Sequence, residues 1–233
     1  RAWRAEKLPS RGPSLRDEAL RAARSFGITD VQVLVTSAAP RLCVAVGDRP
    51  ATILVGHDLA ASTTEAERAF LFTRALGIIH AGLAVVMRSQ PEAVNLLIGG
   101  LLKSIDGMYA NPQLEARALE DMAKRVGKNV PRKNRDALVP LAIEMGGAPG
   151  FDPARLGLHA AELGDRLALL ALGAIPASFS ALLALANVRL AEGASSAERV
   201  AATKKVPEAW SLVRFAISDP HFDARHRAGV DRL

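Results

Sequence analysis

The stretch from Ser62 to Gly82, STTEAERAFLFTRALGIIHAG, leaves few folds open to this chain. It starts as a capped helix should. A hydroxyl from Ser62, Thr63 or Thr64 can accept from the free N–H groups of the first turn, and Glu65 and Glu67 suit the positive end of the helix dipole. Phe70, Leu71, Leu76 and Ile79 then spread around more than one face, and a helix apolar on most sides belongs inside a core. Any fold must therefore cover this helix on several sides. Arg74 in the middle of the run and His80 at its end break the apolar pattern.

The rest of the composition agrees with a helical core. Of 233 residues, 49% are apolar but only 4% aromatic, so alanine and leucine must supply most of the packing. Both rank at the top of helix propensity. The net charge of +6 is mostly arginine. It fits either an arginine-rich composition or a surface for an acidic partner. The single cysteine, Cys43, forms no disulfide within this chain and lies in the strand-like run LCVAV, as expected for a buried inert thiol. The chain begins at Arg1 without a methionine or a signal-peptide pattern, which leads us to expect part of a longer, cytoplasmic polypeptide. The uncharged run Leu167–Val188 is long enough to span a bilayer, but Gly173, Pro176, Ser178 and Ser180 interrupt it, so two core helices and no membrane span are expected.

Taken in order, residues 1–13 are basic and contain Pro and Gly, as a linker would, and residues 14–233 are expected to form a single domain. A first amphipathic helix is predicted from Ser14 to Phe26, stopped by Gly27. Three strands are predicted at Asp30–Thr36, Leu42–Val46 and Thr52–Val55, forming a small antiparallel meander between residues 30 and 55. Helices are predicted near 62–82, 91–106, 112–126, 132–145, 153–172, 176–190, 207–217 and 220–228. Pro91, Pro112, Pro131, Pro153, Pro176 and Pro207 each lie near one of these starts, where a missing N–H is tolerated. The fold class is thus α+β, mainly α-helical, with a small N-terminal antiparallel sheet packed on the Ser62–Gly82 helix.

Phosphate-loop and dinucleotide-binding glycine motifs do not occur, nor does a G-x-S-x-G nucleophile elbow. His221 and His226 are the only close histidine pair, and their spacing does not bring them to one helix face. The segment Lys124–Arg135 concentrates Lys124, Arg125, Lys128, Arg132, Lys133 and Arg135 without an acid. Gly127 and Pro131 make it a solvated turn between helices. It also lacks the interleaved aromatics that stack nucleic-acid bases.

The segment His57–Gly82 resembles the zincin metallopeptidases of the gluzincin type, in which a strand leads into an H-E-x-x-H helix. In that family two histidines one turn apart bind zinc and the glutamate between them activates water. On this sequence the motif falls on Arg74-Ala75-Leu76-Gly77-Ile78. Arg74 stands for the first histidine, Ala75 for the glutamate and Ile78 for the second histidine. The stretch Leu158–Leu172 resembles the third-ligand helix, with Ala161 at the glutamate position, Asp165 at the downstream aspartate and Glu162 one position off, about 100° around the helix. Trp210–Arg225 is similar to the closing helix of bacterial, notably myxobacterial, proteins in which a degenerate zincin-like domain ends a chain of tetratricopeptide repeats. The resemblance covers roughly residues 15–230 and implies that all protein ligands and the general base are lost.

Arg74 cannot ligate a metal, because its guanidinium does not deprotonate in a protein. A guanidinium in a core needs a partner, and Glu162 and Asp165 are the candidates; the alternative is that Arg74 reaches solvent along its aliphatic stem. The vestigial-site residues are therefore Arg74, His80, Glu162 and Asp165. The resemblance implies an inactive zincin-like domain without a cofactor, serving as a scaffold that binds protein partners, among them the repeats of its own chain. Two alternatives remain open. One is a metal-dependent hydrolase with relocated ligands drawn from His57, His80, His159 and Glu162. The other is a nucleic-acid-binding module using Lys124–Arg135.

Overall fold

A computed structural model describes residues 6–7, 15–191 and 193–229. Of the expected extension 1–13, only strand β1 (Glu6–Lys7) lies within the described residues. The fold is α+β and mainly helical, as its patterns predict. Its contacts fall into two compact units, residues 1–88 with 160–233, and residues 89–159. The sequence carries no composition shift at either joint.

In the first unit, α1 (Leu15–Ala23) runs into a 3₁₀ turn, Arg24–Phe26, and stops at Gly27 with φ +66°. Strands β2 (Val31–Thr36), β3 (Cys43–Asp48) and β4 (Ala51–Gly56) follow, close to the predicted positions. Their pairing differs from the expected antiparallel meander. The sheet order is β1-β2-β4-β3, with β4 antiparallel to β3 but parallel to β2, so the sheet is mixed. The reason is burial. Every residue of β4 is buried, whereas β2 and β3 are buried only in part. A strand apolar on both faces takes the middle of a sheet. The β2–β3 connection must then cross the end of β4. It does so by direct contact, with the Gly56 N–H donating to the Leu42 carbonyl (2.6 Å) and the Leu59 N–H to the Pro40 carbonyl (2.9 Å). A Cβ at Gly56 would stand 2.2 Å from the Pro40 carbonyl carbon, so only glycine fits beneath the crossing chain.

Two helices continue from β4: the short α2 (His57–Ser62) and the long α3 (Glu65–His80). Thr64 caps α3 in a reciprocal capping box with Glu67, one of the three hydroxyls expected to do so. Phe70, Phe72 and Leu76 of α3 are wholly buried, and Leu71, Ala75 and Ile78 nearly so. Burial of each large side chain stabilises the fold by roughly 1.5–3 kcal/mol. The helix is covered by α1, by β3 and by α9 (Ile175–Leu185). A fourth neighbour is α8 (Leu156–Leu172), whose residues from Ala160 onward belong to this unit. There a Cβ at Gly164 would lie 3.1 Å from the Arg74 carbonyl oxygen, so α3 and α8 cross nearly backbone to backbone.

A short helix, α4 (Ala84–Met87), packs on β3, and α10 (Ser196–Lys204), α11 (Pro207–Ala216) and α12 (Asp219–Arg227) complete the unit. Neither α4 nor α10 is anticipated from sequence. For α10 the signal was present, since Ser195 and Glu198 form a capping box. The uncharged run does break into two helices, α8 and α9, around Gly173 at φ +64°. Among the described residues no helix is long and apolar enough to cross a membrane.

The second unit contains α5 (Pro91–Ile105), α6 (Ala116–Gly127), α7 (Arg132–Gly147) and a 3₁₀ turn, Pro153–Arg155, all of which pack around α5. Pro112 does not open α6. It belongs to a loop in which Asn111 donates to the buried Asn95 of α5 (3.0 Å) and Asn95 donates to Gln113 (3.3 Å).

Gly56→Ala should destabilise the protein by about 2–3 kcal/mol, because the clash is with backbone that cannot rotate away. Urea unfolding monitored by circular dichroism measures it. An unchanged midpoint would show that the β2–β3 crossing is not closely packed.

Candidate functional site

The α3–α8 crossing brings together the two residues that the motif reading singles out. Arg74 Nε donates to Asp165 Oδ1 at 2.6 Å, with the two side chains only 11% and 3% exposed. Arg74 therefore does not reach out to solvent. Glu162, the other candidate, accepts a hydrogen bond from Ser211 of α11 (3.2 Å). The neighbouring Arg166 places its guanidinium 5.1 Å above the Phe215 ring.

The pair is electrostatically tense. Among the described residues, the buried Asp165 Oδ2 has no hydrogen-bond partner. Burial pushes the Asp165 carboxyl up from 3.8 to about 6, against the pull of Arg74, and the nearby charges of Glu208 and Glu162 add to the rise. A crevice lined by Glu162, Asp165, Arg166, Glu208, Ser211 and Leu212 adjoins it and has no room for a water-sized sphere. Ala75 and Ile78, at the remaining motif positions, are 1% exposed, and Ala161 is buried on α8. Cys43 also lies in the core; burial pushes its thiol up to about 12, and it donates weakly to the Leu71 carbonyl (3.8 Å). It is an inert structural thiol, as expected.

The histidines are dispersed. His80 ends α3 with its ring 5.5 Å from that of Phe26, in a cleft that includes Ala51, the first residue of β4. His57 follows the last residue of β4, so the two lie at opposite ends of that strand. His159 is exposed in the second unit. Among the described residues no group of three His, Cys, Asp or Glu side chains is placed to hold a metal ion.

Two features, one half-buried and one buried, escape the sequence reading. Arg68 of α3 forms a two-pronged ion pair with Glu18 of α1, Nε to Oε2 at 2.7 Å and Nη2 to Oε1 at 2.8 Å, and also donates to the Thr63 carbonyl. Its hydrogen bonds to the Glu18 carboxylate raise the Arg68 pKa further. Its signal was an acid beside Ala19 on the apolar side of α1. The second is His221, 4% exposed between the rings of Phe215 and Phe222 (5.3 and 5.5 Å). Burial and the charge of Arg225 lower its pKa. The Ala216 carbonyl opposes this without reaching hydrogen-bond geometry.

In the second unit the basic segment is divided between two helices. Lys124 and Arg125 lie in the last turn of α6, Lys128 just follows it, and Lys133 and Arg135 lie in α7; the side chain of Arg132 is outside the described residues. Arg135 Nη2 donates to the Gly127 carbonyl (2.7 Å). A cleft of about 420 Å³ is lined by Ser104, Ala123, Lys124, Gly127, Lys128 and Arg135.

Comparison of the chain with family models, with curated proteins and with solved structures yields no match in any of the three.

Breaking the buried pair should cost more than removing it. Arg74→Met leaves Asp165 uncompensated and should lose about 3–5 kcal/mol, while Arg74→Met/Asp165→Leu should recover most of it. A double-mutant cycle by urea unfolding measures both, and additive losses would show that the pair is not coupled. The raised carboxyl pKa sets a pH dependence as well. Protonated Asp165 is favoured in the folded state, so its stabilising contribution is complete below pH 3.8 and is lost as pH rises through about 6. Wild type should therefore lose up to about 3 kcal/mol relative to Asp165→Asn over that window.

Proposed function

We propose that this chain is a non-catalytic helical domain, zincin-like in the arrangement of α3 and α8, that binds another protein. The observation that carries the non-catalytic reading is the Arg74–Asp165 pair. A guanidinium occupies the helix position where the resembled family has a zinc ligand, and it is neutralised within the core. A metal centre needs neutral or anionic donors around an open coordination position. Ala75 and Ile78 instead present methyl groups to a closed interior. With Ala75 in place of the glutamate, that position also has no group able to take a proton from water.

The binding half of the proposal rests on α7. Of its described side chains only Ala142 is buried, and Val139, Leu141, Ile143 and Met145 are exposed. Val139 and Ile143 lie one turn apart on one face of the helix and Leu141 and Met145 on the other, and exposed apolar side chains at one-turn spacing are a feature of protein-contact surfaces. The protein partners expected from the resemblance, including repeats within its own polypeptide, would be read through such a surface.

Elemental analysis of the purified protein, with thermal melts taken with and without chelator, tests the first half. We expect no stoichiometric zinc and superimposable melts. One zinc per chain and a melt lowered by chelator would overturn the reading and direct attention to Glu162 and the histidines. For the second half, Val139→Glu should change stability by no more than about 0.5 kcal/mol, since the site faces solvent. A photo-crosslinker at Ile143 in the full-length protein in its native cells should give a discrete protein adduct, absent in the Val139→Glu variant. No adduct would remove α7 as the contact surface.

A further inference from the structure

The cleft between α6 and α7 gathers positive charge without an acid in its lining. Its lining includes Lys124, Lys128 and Arg135 and no carboxylate. Lys124 and Lys128 lie one helical turn apart, a spacing at which like charges repel. Among the described residues neither forms an ion pair, whereas nearby Lys103 pairs with Glu120 at 3.5 Å. The start of α7 repeats the pattern. Its first turn carries Arg132, Lys133 and Arg135 with no acid, and its N-cap, Pro131, supplies no side-chain acceptor. Cations at the positive end of a helix are unfavourable, and acids are the usual residues there. Lys124, Lys128 and Arg135 thus bring positive charge from two helices to one shallow, open cleft. Arg135 is held at its edge by the bond to the Gly127 carbonyl, and the Ser104 hydroxyl, now donating to Leu101 (2.8 Å), lies in its wall.

We propose that this cleft binds a phosphate-bearing small molecule through its phosphate oxygens. An oxyanion carrying several charges would neutralise Lys124, Lys128 and Arg135 together, and it would accept from the ammonium and guanidinium donors in charge-assisted hydrogen bonds. A volume of about 420 Å³ suits a chain of two or three phosphates. The lining contains no aromatic ring, so nothing there stacks a base. Recognition is therefore of the phosphates and not of an attached nucleoside. The site belongs to the second unit, and neither the metal reading nor the apolar surface of α7 bears on it.

Calorimetric titration of the intact protein with inorganic tripolyphosphate, with ATP and with a single-stranded oligonucleotide tests the proposal, alongside amide NMR shifts. Tripolyphosphate and ATP should bind with similar affinity, weakening as salt rises, and shifts should centre on residues 101–104 and 123–136. Lys124→Glu/Lys128→Glu should weaken binding at least about tenfold, the loss expected when charge-assisted contacts are reversed. Arg214→Glu/Arg227→Glu, which alters net charge equally on exposed positions of the other unit, should leave it unchanged. Equal weakening by both pairs would reduce the effect to net charge and overturn the site. So would oligonucleotide binding without tripolyphosphate binding, which would assign the segment to nucleic acid, or no binding at low salt.

Discussion

The first unit depends on one constraint, that α3 has almost no face fit for water. Phe70, Leu71, Phe72, Leu76 and Ile78 point in enough directions that no single neighbour could cover them. The sheet, α1, α8 and α9 all close on this helix. Two arginines are carried inward with it. Arg68 and Arg74 cannot shed their charge, so each neighbouring helix must supply a carboxylate, Glu18 from α1 and Asp165 from α8. These pairs do more to dictate which helices sit where than to add stability. A buried ion pair is nearly neutral beside an apolar replacement, but an unpaired one is costly.

The same constraint shapes the titratable groups of the core. Cys43 is kept a thiol, and His221 is kept neutral. The Asp165 carboxyl answers to Arg74 in a crevice that has no room for a water-sized sphere. The second unit supplies two surface features of contrasting kinds. The C-terminal part of α7 exposes Leu141 and Ile143, while its first turn shares a basic cleft with the end of α6.

Local patterns carried most of the helical architecture. Thr64 and Glu67 mark the start of α3, Gly27 and Gly173 mark helix ends, and Pro91 and Pro207 open α5 and α11. Each works within one or two turns of chain, which is why it is legible in sequence. The missed α10 was legible too, in Ser195 and Glu198. The sheet was misread because antiparallel order was inferred from short turns, whereas the unbroken apolar run of β4 was the better guide to its central place. Of the candidate site, the oddity of Arg74 and the acids of α8 stood out in sequence, but the choice of partner did not. Glu162 and Asp165 lie only about 60° apart around α8 and nearly one turn apart along it, so helix-face reasoning offers both, and only the place at which α8 crosses α3 selects between them.

Sequence alone determined that α3 must be buried, that its arginine could neither ligate nor deprotonate, and that positive charge gathers between Lys124 and Arg135. These are properties of residue type and local spacing. Tertiary structure decided that β4 is central, that Arg68 meets Glu18, that Arg74 meets Asp165, and that Lys124, Lys128 and Arg135 share one shallow, open cleft. Each of these joins residues distant in the chain, and the close approach at Gly56 and Gly164 that permits two of them leaves no periodic trace for a sequence to show.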